Sequence, residues 1–165
     1  MIEIFILSFI QGITEFIPVS SSSHLILMSK LLDFENQSLS IDVSLHIGSL
    51  LAVLVYFYKD IISFIDNRIL FFKIFISSLP VIISGFLLVE TGIIDQIRNI
   101  KIIAWTTLIF GILLFIADRS NIKNKIDTSL SLKNILIIGI FQILAVIPGV
   151  SRSGIIITAS RFLNF

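Results

Sequence analysis

The sequence predicts an all-α protein: a polytopic membrane helix bundle in which two re-entrant helical hairpins form inverted repeats, the second of them incomplete. Three observations carry that expectation. The chain of 165 residues is 56% hydrophobic and 14% charged, with a mean hydropathy of +1.05. A soluble domain of this size could not bury so much apolar surface, so the solvent for its flanks has to be lipid. Three apolar runs are long enough to span a bilayer, and two shorter ones each end at a proline followed by serines. The whole of residues 1–165 reads as one integral-membrane domain, with 1–117 as a first repeat and 118–165 as the start of a second.

Taken in order, Ile4 to Phe16 is an apolar helix too short for a bilayer that needs roughly 20 residues. Pro18 lacks an N–H and restricts the residue before it, so the helix is expected to end near Phe16, with a turn through Ser20 to Ser23. Leu25 to Leu32 then returns, giving a hairpin that dips in and comes back. Non-helical backbone at membrane depth survives only inside protein or beside a wet cavity. Asp33 to Asp42 is a polar loop, and Val43 to Tyr58 a first span. Lys59 to Arg68 is a short connection with a brief apolar piece. Ile69 to Leu88 spans again, with a kink expected at Ser77, Ser78 and Pro80. Glu90 to Lys101 is a loop, Ile102 to Ala117 a third span, and Asp118 to Asn134 a loop.

That last loop carries Arg119, Lys123, Lys125 and Lys133, the densest basic cluster of the chain, and the positive-inside rule makes it cytoplasmic. Counting back through three spans puts Lys59 to Arg68 inside too, and the first hairpin with its mouth facing out. Ile135 to Ile147 is again too short to span and leads into PGVSRSG, Pro148 to Gly154. QGITEFIPVSSS and QILAVIPGVSRS look like weak internal copies. Separated by an odd number of spans, they would enter from opposite faces and meet near the midplane.

The polarity is concentrated in Gln11 to His24, QGITEFIPVSSSSH. Four serines, a carboxylate and an imidazole in apolar surroundings are costly unless they pair with one another or with a ligand. Gln11 and Glu15 are four apart and share a helix face. Hydroxyls and unpaired N–H groups at a helix break make a seat for an anion such as phosphate. Glu15 repels phosphate unless a divalent cation stands between them. A histidine such as His24 can shuttle a proton or attack phosphorus itself. In the second stretch Arg152 offers a rigid fork for bidentate phosphate binding, flanked by Ser151 and Ser153, while Gly149 and Gly154 let the backbone approach closely.

Each residue also has an ordinary reading. Membrane serines commonly bond their own backbone, Gln11 could bridge helices, and Arg152 could snorkel. His46, near the start of the first span, has no partner in either motif and reads as a packing or mouth-lining residue. The net charge of +1 gives no reason to expect a nucleic-acid partner. With no cysteine there is no disulfide framework. Glu3 stands where a cleavable leader would carry basic residues.

The first motif resembles that of the undecaprenyl-diphosphate phosphatase, or bacitracin-resistance, family, which reads (E/Q)GxTEFLPVSSxGH. Gln11, Gly12, Thr14, Glu15, Phe16, Pro18, Val19, Ser20, Ser21 and His24 fit it. The second resembles the family's PGxSRSxxT through Pro148, Gly149, Ser151, Arg152 and Ser153. Two positions depart: Ile156 stands where the closing threonine would, and Ser23 where a glycine precedes the histidine. The resemblance implies an integral-membrane hydrolase that removes the terminal phosphate of undecaprenyl diphosphate, recycling the carrier lipid for peptidoglycan synthesis and conferring bacitracin resistance.

It further implies a bacterial inner-membrane location, with the site opening to the outer, periplasmic side. Glu15, Ser21, His24 and Arg152 become the expected catalytic residues, with attack by His24 or Ser21, or by a group that His24 activates. Ser20, Ser22, Ser151, Ser153 and Gly149 would bind the phosphates, and Gln11 with Glu15 would place Mg²⁺ or Ca²⁺. Expected partners are the lipid substrate, membrane lipid and a second copy of the chain as a homodimer. Family members carry three further spans, so this chain covers about the first three-fifths of the family fold by repeat logic. Two other classes are a small transporter or channel on inverted hairpins, and an inactive truncated remnant.

Overall fold

The computed structural model describes residues 2–34, 38–122 and 130–165, and among these every regular element is a helix. The first hairpin is α1 (Ile2–Thr14) and α2 (Ser21–Leu31). There follow α3 (Leu39–Tyr56), α4 (Tyr58–Asp66), α5 (Arg68–Glu90), α6 (Ile93–Ile97) and α7 (Ile100–Asp118). The second hairpin is α8 (Leu132–Ile143), a 3₁₀ turn (Leu144–Val146) and α9 (Arg152–Phe162). Glu35 of the first polar loop and Lys123 and Lys125 of the basic loop lie outside the described residues.

Helices α3, α5 and α7 are long and apolar enough to cross a membrane, whereas α1 and the Leu132–Val146 segment are apolar but shorter. Their flanks are bare: Ile69, Phe72, Ile82 and Phe86 on α5 and Trp105, Leu108, Ile112 and Phe115 on α7 are all exposed. In water each such side chain would forfeit about 1.5–3 kcal/mol of burial, so these faces are made for hydrocarbon. The chain is a multi-pass membrane helix bundle. Its small core gathers where the hairpins meet the long helices, at Leu7, Leu25, Ile26, Ile103, Ile155 and Ala159. α1 packs on α2 and α3, α8 on α5, and α9 on α7 and α8. The two tips touch: a Cβ on Gly154 would lie 3.4 Å from the Pro18 carbonyl oxygen.

Several element boundaries differ from expectation for local reasons. α1 stops at Thr14 and α2 starts at Ser21, so Ser21, Ser22 and Ser23 form the first turn of a helix and are not part of a loop. α3 starts at Leu39, capped by Ser38, which accepts from the Ile41 N–H at 3.4 Å. That early start takes Asp42 out of the expected loop and into the helix. The expected connection from Lys59 to Arg68 contains the nine-residue helix α4. The loop from Glu90 to Lys101 holds the short α6, entered through Gly92 at φ 67°. α5 is continuous through Pro80.

The two sequence copies use their glutamines alike. Gln11 Nε2 donates to Ser49 Oγ on α3 at 3.3 Å, and Gln142 Nε2 donates to Ser77 Oγ on α5 at 2.9 Å. Lipid offers no hydrophobic drive between helices, so such polar clasps and close backbone approach set the packing. At the α5–α8 crossing a Cβ on Gly139 would stand 2.7 Å from the Ser77 carbonyl oxygen. Gly139→Ala should therefore push the helices apart at a cost of about 1–3 kcal/mol, seen as a lowered thermal midpoint in detergent. Gly85→Ala, where a Cβ would meet nothing within 4 Å, should leave the midpoint unchanged.

Candidate active site

The break between α1 and α2 aims the polar residues. Ser20 sits in the left-handed region at φ 62° and caps α2 with its backbone alone, a strain of about 1–2 kcal/mol for a residue with a Cβ. Its Oγ is 2.9 Å from Ser23 Oγ and 3.5 Å from Ser22 Oγ. The N–H groups of Ser21, Ser22 and Ser23 meet no acceptor among the described residues, so the positive end of α2 is open to an anion. In the second hairpin Ser151 caps α9, accepting from the Gly154 N–H at 3.2 Å, and lies 3.1 Å from Ser153 Oγ. Arg152 is the first residue of α9, is exposed, and has no hydrogen bond or ion pair among the described residues.

A cavity of about 320 Å³ opens between the tips, lined by Glu15, Ser20, Ser21 and Ser22 from one hairpin and Ser151, Arg152 and Ser153 from the other. Glu15 is the one carboxylate among its described lining residues. Its Oε2 accepts from Ser21 Oγ at 2.5 Å and from Gln11 Nε2 at 2.9 Å. The first residues of α2 and α9, Arg152 among them, line the same space, which favours an anion there.

His46 on α3 also lines this cavity, and sequence reasoning had left it without a partner. Its Nε2 is 3.4 Å from both Glu15 Oε2 and Ser21 Oγ, and its Nδ1 is 2.7 Å from the Asp42 carbonyl. Only tertiary packing brings α3 here. Asp42 is in turn buried, 3% exposed, and ion-paired to Arg98 beyond α6. A second chamber of about 420 Å³ adjoins the first, sharing Ser22, His46, Ala145 and Arg152; Asp42 and Arg98 line it too, and the rest of its wall is apolar, including Ile26, Val43, Ile47 and Leu50.

His24 goes elsewhere. Its Nδ1 is 2.9 Å from the Ser20 carbonyl, and it lines a separate cavity of about 280 Å³ against Phe110, Gly111 and Leu114 of α7. Ser151 is common to this cavity and the one holding Glu15. Gly149 lines the His24 side, where its absent side chain has a packing cause: at φ 99°, a Cβ would fall 1.8 Å from Thr106 Oγ1 and 2.9 Å from the Ile103 carbonyl. Thr106 Oγ1 donates to the Pro148 carbonyl at 2.6 Å, clamping the second tip to α7.

Among the described residues Gln11, 1% exposed, has no partner for its Oε1, and Glu15 Oε1 accepts no hydrogen bond. A buried amide oxygen and, one helical turn away, a carboxylate that lines the cavity are a pair of the hard donors that a divalent cation takes. Among the described residues no three His, Cys, Asp or Glu cluster together, so such an ion would complete its shell with phosphate oxygens and water.

Comparison with known proteins points the same way. Residues 4–165 match the family described as "Bacitracin resistance protein BacA". The chain is 51% identical over 166 residues to a Pelagibacter ubique protein named undecaprenyl-diphosphatase, covering 100% of this chain and 65% of that protein. A Jannaschia sp. protein of the same name is 44% identical over 178 residues, covering 100% of this chain and 67% of the relative. One from Hahella chejuensis is 42% identical over 176 residues, with 99% and 65% covered. The chain thus spans about two thirds of the length of these relatives.

Proposed function

The chain belongs to the bacitracin resistance protein BacA family, and on that premise we propose that it hydrolyses undecaprenyl diphosphate to undecaprenyl phosphate and inorganic phosphate. The observation that carries this reading is one cavity holding a carboxylate-bonded serine, the open N-terminus of α2 and an arginine with no hydrogen bond or ion pair among the described residues. The terminal phosphate sits against the amides of Ser21 and Ser22, the hydroxyls of Ser20, Ser151 and Ser153, and Arg152. Glu15 takes the Ser21 proton as Oγ attacks phosphorus. The Oγ–P bond forms, the bond from phosphorus to the bridging oxygen breaks, and undecaprenyl phosphate leaves. Water then attacks phosphorus, the Oγ–P bond breaks, inorganic phosphate leaves, and Glu15 returns its proton to Ser21 Oγ.

Arg152 takes up the charge that builds on the equatorial oxygens. Distance favours Ser21 over His24 as the attacking group, because His24 lines the neighbouring cavity. Gln11 and Glu15 would hold Mg²⁺ or Ca²⁺, whose chemistry is to neutralise phosphate charge. The basic residues Arg119 and Lys133 beyond α7 support a cytoplasmic loop there. This gives an inner-membrane protein whose first hairpin opens outward.

Phosphate release from undecaprenyl diphosphate by the detergent-solubilised chain, with and without divalent metal, tests the reading. Ser21→Ala should cut turnover by about 10³-fold or more. Substrate transport without release would favour a carrier instead, and neither activity would mark an inactive chain.

A further inference from the structure

The sequence gives His46 only a packing or mouth-lining role, and the mechanism above does not use it, yet its ring reaches the reacting groups from a different helix. We infer that His46 is a positioning residue that holds Glu15 while Glu15 carries the serine's proton; this rests on the reading of Ser21 and Glu15 given above. A carbonyl oxygen can only accept, so the 2.7 Å contact to Asp42 O puts a hydrogen on Nδ1 and leaves Nε2 facing the cavity. Asp42 cannot drift, because its buried carboxylate is tied to Arg98 at the far end of α6.

Nε2 therefore sits at a fixed point 3.4 Å from Glu15 Oε2 and 3.4 Å from Ser21 Oγ. When the proton passes from Ser21 Oγ to Glu15 Oε2, that oxygen changes from acceptor to donor, and a lone pair is needed to receive its O–H. Gln11 Nε2, Glu15's other neighbour, is itself a donor. In the neutral imidazole with its hydrogen on Nδ1, the Nε2 lone pair of His46 is the acceptor in place. It keeps the new acid from rotating away or returning its proton before the leaving group departs. Contacts of this length are normal for catalytic partners without substrate and shorten on binding.

The test compares His46→Phe, which keeps a ring of similar bulk without the acceptor, and His46→Gln, which restores an acceptor on a flexible stem. Two readouts are used: steady-state kcat and KM for undecaprenyl diphosphate, and the rate at which a fluorophosphonate probe labels Ser21. His46→Phe should lower both kcat and labelling rate by about tenfold to a hundredfold with KM within twofold, and His46→Gln should recover most of each loss. Wild-type labelling and kcat in His46→Phe would overturn the inference. So would equal losses in both variants, or a wild-type chain in which the probe does not label Ser21. Failure of the wild type to release phosphate while Ser21 is labelled would instead sink the substrate assignment, and labelling would still report on His46.

Discussion

Arg152→Ala is expected to lower phosphate release from undecaprenyl diphosphate by about 10³-fold or more while leaving the thermal midpoint in detergent within a degree or two. Both halves of that result come from the same observation. Arg152 is exposed at the start of α9, and it makes no hydrogen bond or ion pair among the described residues. Removing it therefore breaks no hydrogen bond or ion pair among the described residues, and it leaves no buried polar partner stranded there. What is lost is the fork that faces the phosphate cavity from the second hairpin. Arg152→Lys should fall between the two, because an ammonium supplies charge without bidentate geometry. Steady-state kinetics should show KM rising along with the fall in kcat, since the guanidinium would bind the ground-state phosphate and bind the transition state more tightly still. Near-normal turnover in Arg152→Ala would remove the second hairpin from the chemistry.

Glu15→Gln is expected to cost about 10²–10⁴-fold in kcat with a different signature. The amide matches the carboxylate in shape and can still accept from Gln11 and Ser21, so the tip should fold as before. It cannot take the serine's proton at a useful rate, and it offers a weaker oxygen to a cation. Because a negative charge facing the phosphate has been removed, KM should stay level or fall. The split between the two variants, kcat and KM for Arg152→Ala but kcat alone for Glu15→Gln, separates binding from proton transfer. Equal profiles would mean that Glu15 acts only through the field of the site.

Much of this geometry was legible because it is local. The three long helices follow from uninterrupted apolar runs, and the two short hairpins from runs that end at Pro18 and Pro148. Glu15 and Ser21 come together because they flank a single tight turn. What escaped was set by packing between distant segments. His46 reaches the cavity only because α3 lies against α1, and the Arg98–Asp42 pair joins residues 56 apart in sequence. Reading Ser20 to Ser23 as a turn overlooked that a helix can begin at Ser21 once Ser20 takes a left-handed conformation. That choice has a large effect, since it turns Ser21 and Ser22 to one cavity and His24, bonded to the Ser20 carbonyl, to another. Gly149 looked like a phosphate cradle, and the approach of Thr106 gives it a packing duty as well.

The pairing of Asp42 with Arg98 carries a consequence for how the protein meets its surroundings. The two side chains are 4% and 16% exposed, so mobile counter-ions cannot gather between them as they would around a surface pair. Raising ionic strength would thin the attraction between loop lysines and anionic headgroups, and would shield Arg152 from an approaching diphosphate. The strut that carries α3 and its histidine would keep its length throughout. Brine would thus slow capture of the lipid without loosening the machinery that receives it.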